Sequence, residues 1–271
     1  MVAPRQPRHP DTREMICLPR FGSLDLDKQW SVRLLTVRPQ PARLCARWFG
    51  ISMLLLRPPG VYPPQHDTWL LADVFRAEVR KPGQHVLDIC TGTGALAVVA
   101  ALQGAASVTV VDVSRRALTA AWLNARARGL RVCARRGDLV APVSDQRFDV
   151  ILSNPPYVCA ESDHLPTHGQ ARAWDGGVDG RAVLDRVCAE APKVLAPGGT
   201  LLIVHSALCG VDETVQQLAG EGLDVSVAAR RRCEFGPVMR ARAQMLEARG
   251  LIQAGERTEE LVVVRAVKPV V

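Results

Sequence analysis

The chain has 271 residues, 48% of them hydrophobic, with a mean hydropathy of +0.05 and a formal net charge of +7. That is enough apolar sequence for one large α/β domain with an appendage, and the longest apolar run of the N-terminal region, Ile51 to Leu56, is far too short to span a bilayer. The charge argues only weakly for a nucleic-acid binder: residues 1–52 carry nine Lys/Arg and four Asp/Glu, so +5 of the +7 lies outside the remaining, nearly neutral domain.

Residues 1–52 hold six prolines and no sustained periodicity, and read as a basic, weakly ordered extension ahead of a domain at 53–271. This extension is expected to be a flexible tail or an over-long start before Met53; a basic arm touching RNA or the ribosome is the competing reading. From residue 53 the pattern changes. A helix is predicted over Asp67–Val79, capped by Asp67 or Thr68. Strands and helices then alternate. His85–Cys90 reads as a strand, Ala95–Leu102 as a helix and Ser107–Val113 as a strand. Ser114 caps a helix over Arg115–Arg128, and Arg131–Arg136 and Phe148–Ser153 are the next strands. Beyond them come a helix at Arg181–Leu195, a strand at Thr200–Ser206 and a short helix at Asp212–Ala219. The chain closes with a strand at Asp224–Ala229, a helix at Val238–Arg249 and a strand at Glu260–Val267. Regular alternation of this kind argues for a doubly wound sheet whose central strands are parallel.

Eight cysteines are spread so that no two are closer than 21 residues, which excludes C-x-x-C and zinc-type spacing. Several fall in apolar strands as small hydrophobes, and a reducing cytoplasm is the expected compartment. His66, His164, His168 and His205 lack metal-ligand spacing, so no metal site is expected. Arg230–Arg232 and the cluster Arg126 to Arg136 are read as solvated faces rather than phosphate contacts.

Two places carry chemistry. The first is Val86-Leu87-Asp88-Ile89-Cys90-Thr91-Gly92-Thr93-Gly94-Ala95, a strand, a glycine turn and a helix start. Gly92 and Gly94 permit positive φ and close approach of a ligand to the backbone. Alone, this turn is equally a dinucleotide loop. Asp112 at the end of the second strand suits ribose hydroxyls, and Asp138, with Leu139 beside it, suits an exocyclic adenine amine. The second place is Asn154-Pro155-Pro156-Tyr157, closing the strand Phe148–Ser153. The prolines remove two N–H donors and leave carbonyl acceptors. Asn154 adds a side-chain oxygen, and Tyr157 a face for stacking. A dehydrogenase has no use for such a corner.

The pattern D-x-x-x-G-x-G, strand-end Asp, loop Asp and N-P-P-Y resembles that of class I S-adenosylmethionine-dependent amino-methyltransferases. Gly60-Val61-Tyr62-Pro63-Pro64-Gln65-His66-Asp67-Thr68 further resembles the V-Y-x-P-x-x-D-T element of the eukaryotic-type branch of the HemK/PrmC glutamine methyltransferases. The likeness covers residues 60–265. It implies a Rossmann-like, doubly wound, seven-stranded sheet, mostly parallel with an antiparallel last strand, and S-adenosyl-L-methionine as cofactor. It implies cofactor contacts from Thr68, Asp88, Cys90, Asp112, Asp138, Leu139 and Asn154, with Gly92 and Gly94 shaping the loop. Catalysis would fall to Asn154, Pro155, Pro156 and Tyr157. Two departures stand out: Cys90 occupies a position where the family usually has glycine, and the five-helix substrate domain of the bacterial release-factor enzymes is missing.

An amide nitrogen is a poor nucleophile, and N-P-P-Y offers no strong base. Orientation is the available remedy: Asn154 and the Pro155 carbonyl accept the two N–H bonds and aim the lone pair at the methyl. The resemblance implies methylation of a protein glutamine by this means, with a translation release factor as the expected substrate. The alternatives are an exocyclic amine of DNA or RNA, which requires base flipping in a duplex, and a cofactor-binding scaffold without turnover. The segment Val158–Gly180, which contains Trp174, is expected to be functional or mobile. Hydrophobic cover and substrate contact are equally open for Trp174. An activating partner subunit is left open.

Overall fold

The computed structural model describes residues 54–78 and 82–270; the expected N-terminal extension at 1–52 lies outside the described residues. The chain runs α1 (His66–Glu78), β1 (His85–Ile89), α2 (Ala95–Leu102), β2 (Ser107–Asp112), α3 (Arg115–Arg126), β3 (Cys133–Arg136) and β4 (Phe148–Ser153). It continues with α4 (Leu184–Val194), β5 (Leu195–Ser206), α5 (Val211–Gly220), β6 (Asp224–Glu234), α6 (Pro237–Ala248) and β7 (Thr258–Val267). The strands form one sheet in the order β3-β2-β1-β4-β5-β7-β6. β1 to β5 pair in parallel, while β7 pairs antiparallel with both β5 and β6. This is the expected α/β architecture, a doubly wound seven-stranded sheet that is mostly parallel with an antiparallel last strand.

The reason is legible in the apolar runs. Leu87, Ile89, Ile151, Leu152, Leu201, Leu202, Ile203 and Val262–Val264 are all buried, as strands covered on both faces must be. Each fully buried Leu or Ile contributes on the order of 1.5–3 kcal/mol. Helix α3 shows the complementary pattern: Ala117, Leu118, Ala121 and Ala125 face inward, and the Ser114 hydroxyl accepts from the Ala117 N–H at 3.3 Å as N-cap. Among the described residues no helix is long and apolar enough to cross a membrane.

Several element boundaries differ from expectation, among them those of β1, α4, β5 and β6. β1 ends at Ile89, and Cys90 stands in the turn with φ +60. Helix α4 begins at Leu184 rather than Arg181; the Ala182 N–H is bonded back to the Gly176 carbonyl at 2.8 Å, and the Arg181 guanidinium reaches the Cys209 and Gly210 carbonyls at 2.5 and 2.9 Å. Strand β5 starts earlier, at Leu195, with an irregularity in its register against β4. Strand β6 runs on through Arg230–Arg232. This edge strand tolerates them because Arg230 meets Glu260 at 2.6 Å, Arg231 meets Asp73 at 3.1 Å and Arg232 meets Glu256 at 3.5 Å. The cysteines are also placed differently: of the six described, only Cys133 and Cys233 lie in strands.

Candidate active site

The order of winding reverses between the parallel strands β1 and β4, since β2 and β3 extend the sheet to one side of β1 and β4 and β5 to the other, and a crevice opens beyond the carboxyl ends of β1 and β4. A cavity of about 1040 Å³ occupies it. Asn154, Pro155, Pro156, Tyr157, Thr68, Cys90, Gly92, Asp112, Asp138 and Leu139 all line this cavity. Of the residues singled out in the sequence, Asp88 and Gly94 do not.

Asp88 is fully buried in β1, where its Oδ2 accepts from the Thr91 hydroxyl at 2.6 Å and so ties the glycine turn to the strand. Burial pushes its carboxyl up to about 7, and the Thr91 bond holds it back. Gly94 sits at φ +76 as N-cap of α2, and a Cβ there would lie 2.6 Å from the Cα and Cβ of Ala121 on α3. Both residues hold the floor of the turn and present nothing to the cavity.

Asp112 is oriented by its own neighbourhood: Oδ2 accepts from the Gly92 N–H at 3.1 Å and Oδ1 from the Ser114 N–H at 2.8 Å. Burial raises its pKa above the usual carboxylate range, and those two N–H bonds oppose the rise. Asp138 is more exposed and meets Arg186 of α4, with Nη2 2.8 Å from Oδ2. Arg186 also reaches Glu190 at 3.2 Å. Cys90 is half-buried against the cavity; desolvation, and then the nearby Asp112 carboxylate, push its thiol well above its ordinary pKa.

On the opposite wall, four side chains form one chain of hydrogen bonds. Tyr157 donates its hydroxyl to Asp67 Oδ2 at 2.9 Å. Asp67 Oδ1 accepts from the Thr68 N–H at 2.6 Å and from the Thr68 hydroxyl at 3.2 Å. The Thr68 oxygen in turn accepts from Asn154 Nδ2 at 3.1 Å. A carboxylate only accepts, so the Thr68 hydroxyl must donate to Asp67, and the Asn154 group facing Thr68 must be its NH₂. The order of donors thus fixes the amide and leaves Oδ1 as its free-facing acceptor. Burial, and then the Asp67 charge, keep the Tyr157 phenol far above its ordinary pKa, so it stays a neutral donor.

The long segment after Tyr157 is folded back on this wall. Val158 N–H bonds the Trp174 carbonyl at 2.7 Å, and Gly176 N–H bonds the Val158 carbonyl at 3.0 Å. Arg242 of α6 pairs with Asp175 and reaches the Cys159 carbonyl at 2.8 Å. Gly180 is needed at the crossing: a Cβ there would stand 2.3 Å from the Tyr157 carbonyl oxygen. Trp174 lines the cavity and packs on Tyr62, ring centroids 5.4 Å apart at 56°.

Asp67, Tyr62 and Arg186 were not among the site residues anticipated from sequence. Asp67 was visible only as a helix cap; α1 begins at His66, and the carboxylate faces Tyr157 instead. Its signal was present in the V-Y-P-P-Q-H-D-T element. Nothing in the sequence marks Arg186.

The methyltransferase small domain family matches residues 55–170. A Methanocaldococcus jannaschii protein provisionally named protein N5-glutamine methyltransferase is 35% identical over 181 residues, covering 67% of this chain and 90% of that protein. The ribosomal protein uL3 glutamine methyltransferase of Bradyrhizobium diazoefficiens is 47% identical over 126 residues, 44% of this chain and 40% of its own length. The chain therefore spans the archaeal relative nearly end to end and less than half of the bacterial one. Among solved structures, the E. cuniculi Mtq2–Trm112 complex, responsible for the methylation of the eRF1 translation termination factor, aligns with a TM-score of 0.55 at 21% identity. That alignment covers 77% of this chain and 99% of the other, and the likeness is one of fold.

Proposed function

This chain belongs to the S-adenosyl-L-methionine-dependent protein glutamine methyltransferase family, and we propose that it methylates the side-chain amide nitrogen of a glutamine in a protein of the translation machinery, a release factor first among them. The observation that carries this reading is the Tyr157–Asp67–Thr68–Asn154 chain, which engages the Asn154 NH₂ and leaves its amide oxygen out of the chain, on a residue that lines the same cavity as the glycine turn.

The residues fit the cofactor. Asp112, with both oxygens already aligned by backbone N–H groups, accepts from ribose hydroxyls. Leu139 offers an apolar edge and Asp138 an acceptor for the adenine amine. Arg186 now occupies Asp138, but an exposed pair of this kind is worth only about 0–1 kcal/mol and yields to a ligand. When bound, the cofactor supplies an electrophilic methyl group.

The protein supplies alignment. Asn154 Oδ1 and the Pro155 carbonyl accept the two N–H bonds of the substrate amide, and Tyr157 packs on its plane. The same acceptors stabilise positive charge as it grows on nitrogen, where it is worth more than in water. The proton is then lost to solvent, because an N-protonated amide is a strong acid. Thr68 and Asp67 keep the Asn154 amide from flipping. The cytoplasm, where translation proteins reside, is the proposed compartment.

The test is incubation of the full chain with radiolabelled cofactor and a G-G-Q-containing release factor. Label is expected on the glutamine of that motif; label appearing only in nucleic acid added to the reaction overturns the reading.

A further inference from the structure

We propose that the edge of the sheet formed by α3 and β3, beside the mouth of the active-site cavity, is a docking surface for RNA with unpaired bases. Residues 113–137 contain seven arginines and no Asp or Glu, whereas the rest of 53–271 holds 18 basic and 23 acidic residues. A general preference for arginine over lysine does not account for the missing acids. The charge of the domain is segregated onto this one edge.

The pairing of these arginines is equally one-sided. Among the described residues, none of Arg115, Arg116, Arg126, Arg128, Arg131, Arg135 or Arg136 meets a carboxylate. At the opposite edge of the same sheet, Arg230, Arg231 and Arg232 each meet one. The arginines are thus neutralised at the β6 edge and left without a carboxylate at the β3 edge. Three of the seven are committed locally: Arg128 bonds the Leu54 and Asn124 carbonyls, Arg136 the Val113 carbonyl at 3.3 Å and Arg116 the Pro59 carbonyl at 3.4 Å. Strand β3 pairs only with β2, so its outer side lies at the rim of the sheet.

An aromatic ring stands within the charge. Arg115, Thr119, Trp122 and Arg126 recur at helical spacing on the outer face of α3, opposite its buried alanines. Trp122 is 40% exposed and is not part of the hydrophobic core. Guanidinium groups alternating with an exposed indole make a surface on which a phosphate backbone is held while a base stacks. An acidic protein surface would answer the charge and leave the indole unused. Duplex DNA buries its bases, whereas folded RNA offers them in loops. Arg115, Arg116 and Arg136 line the cavity mouth, so the surface is continuous with the site where a substrate enters.

The experiment is fluorescence anisotropy of a labelled RNA stem-loop titrated with the full chain over a range of KCl, with Arg126→Glu/Arg131→Glu and Trp122→Ala as variants. None of these three residues lines the cavity, and thermal melting verifies that the variants are folded. Wild-type affinity is expected to fall with a log–log salt slope of about −3 to −4, reflecting a handful of phosphate contacts. The double variant should bind at least about tenfold more weakly with a shallower slope. Trp122→Ala should lose roughly fivefold or more on the stem-loop while leaving the slope unchanged. Equal binding by wild type and the double variant would place RNA elsewhere on the chain and overturn the proposal. Absence of binding does the same, as does duplex DNA or polyglutamate bound as tightly as the stem-loop. No methyl acceptor enters the measurement, so its failure is separable from failure of the glutamine reading.

Discussion

The two walls of the cavity are held by different means. On the cofactor side the glycine turn and Asp112 are fixed by partners within about twenty residues, and only Asp138 is held from further along the chain, by Arg186. Gly92 and Ser114 orient Asp112, the turn from Cys90 to Gly94 follows directly on β1, and Thr91 anchors to Asp88 three residues away. On the acceptor side the fixing is side chain to side chain across great sequence distance. Asn154 is joined to Thr68 over 86 residues and Tyr157 to Asp67 over 90. A wall built from one strand–turn–helix unit is carried by local sequence. A wall built from two distant segments exists only once the sheet has closed, and it is the more vulnerable to a single change.

The sharpest way to separate the two walls is Asn154→Ala. It removes the one oriented acceptor and is expected to lower kcat/KM for methyl transfer by about 10²- to 10³-fold, with cofactor affinity changing by less than about tenfold. Steady-state methylation alongside cofactor titration by calorimetry measures both. Equal loss of binding and turnover would mean that the walls act as one unit, and the comparison would break.

A smaller effect concerns charge behind the acceptor wall. Glu259 lies in a small cavity with Tyr62, Asp67 and Tyr157, and burial, eased by a Ser206 hydrogen bond, raises its carboxyl to about 7. The folded state therefore binds this proton more tightly than the unfolded chain. Its contribution to stability is full below pH 4.5 and is lost as pH rises through about 7. Glu259→Gln should remove this dependence, adding about 2 kcal/mol of stability at pH 8 relative to wild type and little near pH 4. Urea midpoints at the two pH values read it. A gain of the same size at both pH values would locate the effect in packing rather than ionisation.

The smallest effect is on the cofactor side. Cys90 holds φ +60, a conformation that costs a residue with a Cβ about 1–2 kcal/mol and glycine almost nothing. Against the extra freedom glycine gains on unfolding, Cys90→Gly is expected to stabilise the chain by under about 1 kcal/mol. A rise in thermal midpoint with unchanged cofactor affinity supports a purely local strain. A loss of stability would show that the thiol packs against the cavity wall to real effect.

These differences explain what was legible beforehand. The strands were readable because Val86–Ile89, Phe148–Ser153 and Thr200–Ser206 are apolar runs whose burial is the same whatever surrounds them. The glycine turn was readable because positive φ at Gly92 and Gly94 is a property of those residues. Strand β6 runs past its expected end at Ala229, because Glu260, Asp73 and Glu256 are brought beside three consecutive arginines that the sequence shows only as a solvated face. Gly94 shapes the loop as expected, at φ +76, whereas Asp88, a cofactor contact by resemblance, is buried away from the cavity. Helix packing and burial assign both to the floor of the turn.

The sequence by itself determined the alternation of elements, the glycine turn, the carboxylates at the strand ends and the N-P-P-Y corner, since each is set by interactions within a few residues of itself. Tertiary structure alone decided that Asp67 faces Tyr157 rather than capping its helix, that Thr68 sets the Asn154 amide, and that the arginines of β6 are neutralised while those of α3 and β3 are not. The physical reason is one of distance along the chain. Hydrogen bonds and ion pairs between segments some ninety residues apart depend on which strand ends the sheet brings together, and no local pattern encodes that.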